Sequence, residues 1–278
     1  MNFDQLQFLL KQYKLSPNKI RGQNFLIDDR ALETIIEASN LDSKDLVLEV
    51  GPGLGALTTV LVDKAKQVFA FEVDKNFQPI LNKLLKQYVN LEIFWQDILS
   101  LSDSQLGDIL KKYKSKNYKI IANIPYYLTA KFIRQFIQSQ HQPQSMTLML
   151  QKEVAQRIVV SDNKYSLLSL SVHFYAKSKI ITLVAKENFF PQPQVDSAII
   201  HIFDIKPWPY EVEEKFVWQL IHRGFAKKRK KLINNLLTDP SFKKEKLEKI
   251  FANLDLDLNI RAERLLPENW LKLAEKLL

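Results

Sequence analysis

Asn123-Ile124-Pro125-Tyr126 is the stretch whose residue types point most directly to a reaction. It follows the apolar run Tyr118 to Ala122, which reads as a strand. The exocyclic nitrogen of adenine is a poor nucleophile, because its lone pair is delocalised into the ring. An asparagine oxygen, and a backbone carbonyl whose direction a neighbouring proline fixes, can each accept one N–H from that nitrogen. Such a pair draws the nitrogen toward tetrahedral geometry and aims its lone pair at an electrophile. Tyr126 can stack on the base, worth about 1–3 kcal/mol. The base must first leave its helix. No strong base is needed, since the amine loses its proton after transfer. Read alone, the motif can also be an Asn-Pro turn packed by a tyrosine.

A second cluster is made of glycine. The chain has six glycines in 278 residues, and three of them, Gly51, Gly53 and Gly55, fall in one five-residue window. They follow the apolar run Leu46 to Val50 and precede an apolar helical stretch, Ala56 to Val62. Strand, glycine turn and helix in that order form a nucleotide-binding unit. A dinucleotide fingerprint places its third glycine one position later, where Ala56 stands here. Glu72 ends the next apolar run, and a carboxylate there can accept both hydroxyls of a ribose. NAD enzymes and S-adenosylmethionine enzymes share that feature. Asp97 ends a third run, Leu91 to Gln96, and can accept a hydrogen bond from an adenine amine or serve as a helix cap.

These residues need a scaffold that gathers strand ends. Apolar runs at 46–50, 67–73, 91–95, 118–122 and 145–150 alternate with helical patterns at 56–65, 75–87, 102–114 and 128–139. Such alternation predicts parallel βαβ units in a doubly wound, Rossmann-like α/β sheet. Helical stretches near 152–160 and 165–175 come next, then β-like runs at 178–185 and 195–203. Pro207-Trp208-Pro209 reads as a linker, and the pattern beyond it is helical to the end. The expected division is a catalytic domain over 1–205 and a smaller all-helical domain over 206–278.

The net charge of +9 points to a polyanionic partner, nucleic acid before an acidic membrane surface. Its densest run is Lys227-Lys228-Arg229-Lys230-Lys231, flanked by Phe225 and by Leu232, Ile233, Leu236 and Leu237. The spacing predicts a helix with these apolar residues buried and the cations outside. Lys14, Lys19 and Arg21 can extend the same basic character. With no cysteine and scattered histidines, no metal site is expected. No run approaches the length of a membrane span, and Met1 to Gln5 does not look like a secretory signal, so a cytoplasmic protein is the expectation.

Taken together, these stretches resemble the KsgA/RsmA-type small-subunit ribosomal RNA adenine dimethyltransferases. The resemblance rests on Gly22-Gln23-Asn24-Phe25-Leu26, on Glu49 to Gly55, on Glu72 and Asp97, and on Asn123 to Tyr126. It continues through Leu150 to Val154, Phe189 to Ser197 and Arg261-Ala262-Glu263, and so runs nearly the whole chain. The resemblance implies contacts from S-adenosylmethionine to Asn24, Leu26, Gly51, Glu72, Asp97 and Asn123, with Gly53 and Gly55 in the same loop. It implies a target adenine between Tyr126 and Phe189, and a helical tail with the Lys227 to Lys231 run against RNA. The implied product is N6,N6-dimethyladenosine at two adjacent positions in the hairpin near the 3′ end of 16S rRNA. The implied partner is that RNA in the immature small subunit, met by a monomer. Ile124 and Tyr127 depart from the family's Asn-Leu-Pro-Tyr-Asn, and Leu167 from the arginine of its Tyr-Gly-Arg-Leu-Ser. Two alternatives remain at this point: a large-subunit rRNA adenine methyltransferase of the macrolide-resistance type, and a non-catalytic small-subunit assembly factor.

Overall fold

The computed structural model describes residues 2–18, 22–115, 117–125, 128–160, 162 and 164–278. Tyr126, Tyr127, Lys19 and Arg21, named above, lie outside the described residues.

In chain order the elements are α1 (Phe3–Gln12), β1 (Phe25–Leu26), α2 (Asp29–Ser39), β2 (Leu46–Val50), α3 (Ala56–Val62), β3 (Gln67–Phe71) and α4 (Gln78–Gln87). Then come β4 (Leu91–Phe94), α5 (Asp103–Lys112), β5 (Lys119–Asn123), α6 (Thr129–Ile137), β6 (Ser145–Gln151), α7 (Lys152–Val159) and α8 (Leu167–His173). The chain continues through β7 (Lys177–Val184), β8 (Phe189–Phe190), β9 (Ser197–Phe203), α9 (Glu214–Gly224), α10 (Leu232–Leu236), α11 (Lys244–Asn253) and α12 (Pro267–Leu277).

One sheet has seven strands in the order β4-β3-β2-β5-β6-β9-β7. The first five are parallel, as the alternating pattern predicts, and β9 runs antiparallel to both its neighbours. β2 and β3 are buried at every position, which is why they read as near-continuous apolar runs. The chain leaves β2 toward β3 and β4 on one side and returns to β5 on the other. Such a reversal opens a crevice at the carboxyl ends of the strands. Leu32, Ile35 and Ile36 of α2 and Leu57 and Leu61 of α3 share a buried cluster with Val47 and Ile121 of the sheet.

A second, two-stranded sheet pairs β1 with β8, Phe25 opposite Phe190 and Leu26 opposite Phe189. Strands this short have no readable period, so the sequence gives no warning of them.

The chain forms two compact units, 1–155 with 177–205, and 156–176 with 206–278. The 156–176 segment thus departs from the division drawn at 205. Local bonding explains it: Tyr165 N–H donates to the Glu263 carbonyl at 2.7 Å, and the Phe174 ring packs against Trp208, Tyr210 and Trp218. The second unit is helical, its core centred on the fully buried Trp270 stacked on Phe225. Among the described residues no helix is long and apolar enough to cross a membrane.

The Lys227 to Lys231 run is not helical, contrary to the sequence-based expectation; it forms turns between α9 and α10. α9 ends at Gly224, and the like charges at i,i+3 and i,i+4 within 227–231 oppose a further turn of helix. The buried Asn235 amide donates to the Gly224 carbonyl at 2.5 Å and the Lys227 carbonyl at 3.1 Å, satisfying acceptors that the ended helix leaves. All five cations are exposed, while Leu232, Ile233 and Leu236 are buried as expected.

Candidate functional site

The carboxyl ends of β2, β3, β4 and β5 border one cavity. Gly51, Gly53, Glu72, Asp97, Asn123 and Pro125 line it, with Asn24 and Leu26 from the segment around β1. The sequence therefore named groups that the fold brings to one place, from positions a hundred residues apart.

The turn from β2 into α3 is held at both sides. Gly51 N–H donates to the Phe71 carbonyl at 2.9 Å, continuing the β2–β3 ladder. Gly53 N–H donates to Glu72 Oε2 at 3.1 Å. Gly51 and Gly53 have φ of 66° and 56°, where a side chain is strained. A Cβ on Gly51 would meet nothing within 4 Å, so its face is open to a ligand. Gly55 has a different task. It does not line the cavity, and a Cβ on it would come within 2.5 Å of Leu84 Cδ1 on α4. At φ 84° it opens α3 and lets α4 pack close behind the loop. Gly55→Ala is expected to lower unfolding stability by about 1–3 kcal/mol, from left-handed strain and overpacking, as a lower urea midpoint would record.

Glu72 Oε1 accepts the N–H groups of Val73 at 2.8 Å and Asp74 at 2.7 Å, in addition to the Gly53 bond. Burial raises its pKa, opposed by these three N–H bonds and assisted by the Asp74 charge. Asp97 is exposed at the cavity edge and uses Oδ1 to cap the turn that follows, accepting Leu99 N–H at 2.9 Å. The capping reading of Asp97 is thus the one the structure shows, and the cap engages Oδ1. The charged residues lining the cavity, among those described, are Glu49, Glu72 and Asp97, all acidic on a chain of net charge +9.

Asn123 closes β5, and its Nδ2 donates to the Asn24 carbonyl at 3.4 Å. That leaves its side-chain oxygen as an acceptor. Ile124 N–H donates to the Met149 carbonyl at 3.0 Å, and the Pro125 carbonyl accepts Leu128 N–H at 3.0 Å. The motif is thereby fixed to β6 before it and to the following turn after it.

The segment carrying Asn24 is secured by side chains whose roles the sequence did not reveal. Gln23 Nε2 donates to Asp74 Oδ2 at 2.8 Å, and Asn188 Nδ2 donates to Asp28 Oδ2 at 2.7 Å. Glu49 was also assigned no role; its signal was a lone acid inside an otherwise apolar strand. Phe189 does not line the cavity. Its ring is 3% exposed and packs in the same buried cluster as Leu26 and Ile35. Phe190, half-buried, packs edge-on against Phe3 instead. Lys227 to Lys231 lie in the second unit. Among the described residues no group of His, Asp or Glu is placed to hold a metal.

The pattern that defines the ribosomal RNA adenine dimethylases matches residues 15–277. A ribosomal RNA small subunit methyltransferase A from Alkaliphilus oremlandii is 37% identical over 274 residues, 97% of this chain and 94% of that protein. The crystal structure of a dimethyladenosine transferase from Plasmodium falciparum superposes with a TM-score of 0.71 and 27% identity, covering 90% of this chain and 95% of that one. The 23S rRNA methyltransferase ErmE has the same fold, with a TM-score of 0.71 at 23% identity over 91% of this chain and 99% of that one.

Proposed function

The chain belongs to the ribosomal RNA adenine dimethylase family, and from that membership we propose that it transfers methyl groups from S-adenosylmethionine to N6 of two adjacent adenosines in the hairpin near the 3′ end of 16S rRNA. The observation that carries this reading is the meeting of Gly51, Glu72, Asp97 and Asn123 around one cavity.

The cavity suits the methyl donor chemically. Its open glycine face admits a close approach, and its acidic lining favours a ligand with cationic sulfonium and ammonium groups. Glu72 would hold the ribose hydroxyls, Asp97 the adenine amine, and Gly51, Gly53 and Asn24 the methionine end. When bound, S-adenosylmethionine supplies an electrophilic methyl group on a charged sulfur. Asn123 Oδ1 and the Ile124 carbonyl would accept the two N–H groups of the target amine and direct its lone pair. Asn24 positions Asn123 by accepting its amide N–H. Leu26, Phe25 and Leu128 give that side of the cavity an apolar wall, which limits water around the reacting atoms. Tyr126 would stack on the extruded base.

The name of the Alkaliphilus relative supports small-subunit RNA over the large-subunit alternative. We place the enzyme in the cytoplasm, acting as a monomer on the immature subunit. Incubation with unmethylated small subunits and S-adenosylmethionine, followed by mass spectrometry of the 16S RNA, should give two dimethylated adenosines. Methylation of large-subunit RNA alone would overturn the reading. In the same proposal the exposed Lys227 to Lys231 run grips phosphates and leaves base choice to the cavity. Replacing Lys228 and Lys230 by Gln should flatten the slope of log affinity against log salt by roughly 0.9 per contact on duplex RNA. An unchanged slope would remove these residues from the interface.

A further inference from the structure

Glu49 is the one acid in β2 and is 1% exposed. It lines the cavity, and its Oε2 is buried without a hydrogen-bond partner. A carboxylate oxygen in that position loses its hydration with no hydrogen bond to replace it. The groups that act on it are the Thr58 hydroxyl from α3 and the Glu72 carboxylate at the end of β3. On β5 the charged side chain is Lys119, which pairs with Asp45 at 2.7 Å. Asp97 is the remaining charged side chain of the lining. Burial, with the Glu72 charge adding to it and the Thr58 hydroxyl opposing, pushes the Glu49 pKa up to about 8.

Resting on the proposal that the cavity takes S-adenosylmethionine, we infer that Glu49 is a proton-linked counter-charge: it is a neutral acid before the donor binds and an anion while the cationic donor is held. The O–H bond of Glu49 breaks on binding and its proton passes to solvent. When methyl transfer turns the sulfonium into a neutral thioether, the cavity holds one positive charge less, and the proton returns. The device favours the donor over the spent product, because only the donor carries the additional charge that stabilises ionised Glu49.

The sign follows from linkage. Below the pKa of the ligand-free protein the proton must be displaced, so donor affinity rises with pH; above it affinity levels off. The rise is up to about tenfold per pH unit between pH 6 and 8, with a shallower slope for S-adenosylhomocysteine.

Titration calorimetry at pH 7 in phosphate and in Tris counts protons released on binding. The native chain should release about one proton more than Glu49→Gln, the ligand's own amine contributing equally to both. Equal proton counts would overturn the inference while leaving the donor reading intact. An absence of binding heat in the native chain would overturn both. Infrared difference spectra of the native chain give a test without the variant. A protonated-carboxyl band should disappear when S-adenosylmethionine is added, and an unchanged band would overturn the inference.

Discussion

Asn123→Ala is expected to lower kcat by about 100- to 1,000-fold, the range seen when a single preorganised hydrogen-bonding group is removed from a reacting centre. The loss should fall on kcat more than on the KM for S-adenosylmethionine, because the interaction develops as the target nitrogen becomes tetrahedral. A smaller rise in KM should accompany it, since Asn123 Nδ2 also donates to the Asn24 carbonyl and steadies a segment that lines the cavity. Asn123→Asp separates the two duties. It keeps an acceptor for the amine but loses the donor to Asn24, and its carboxylate faces a carbonyl. It should retain more activity than the alanine variant while showing the larger KM. Single-turnover rates on small subunits, with methyl counts by mass spectrometry, resolve both effects. Full dimethylation by Asn123→Ala at the native rate would remove Asn123 from the chemistry.

The residues at stake were legible for a geometric reason. In a parallel sheet every strand delivers its carboxyl end to the same edge, so an acid or amide following an apolar run has a known address. Gly51, Glu72, Asp97 and Asn123 could be gathered this way without knowledge of packing. Residues that depend on packing were not legible. Gly55 is indistinguishable in sequence from Gly51 and Gly53, yet it faces Leu84 of α4, and only the helix behind the loop decides that. Phe189 and Phe190 are adjacent aromatics, and the β1–β8 pairing determines which one enters the core. Glu49 interrupts an apolar strand pattern, but only its burial beside the cavity gives it chemistry, and burial is not written in that pattern. The basic run misled in another way. Its apolar flanks have helical spacing, but Gly224 and the buried Asn235 amide end the helix before the lysines begin.

Glu72→Ala is expected to weaken S-adenosylmethionine binding by at least about 100-fold and to lower stability as well. The carboxylate does two things at once. In the protein it accepts three backbone N–H groups, from Gly53 in the β2–α3 turn and from Val73 and Asp74 just after itself. Removing it leaves those donors without their acceptor, at about 1–3 kcal/mol for each that stays shielded from water. The Gly53 bond matters most for the proposed ligand, because it ties the glycine turn to the end of β3, where the ribose is proposed to sit. Glu72→Gln should be milder: its oxygen can keep the Val73 and Asp74 bonds, while its amide nitrogen points a donor at the Gly53 N–H. That variant should bind the donor roughly ten- to a hundredfold more weakly, with most of the native stability retained. Either substitution also withdraws the negative charge that helps keep Glu49 protonated, so the Glu49 pKa should fall and donor affinity should lose part of its rise between pH 6 and 8. Calorimetric titration and thermal unfolding of both variants measure these effects. A Glu72→Ala protein that binds S-adenosylmethionine within twofold of the native chain would sink the ribose assignment. A shifted pH profile without that loss of affinity would show Glu72 acting on Glu49 alone.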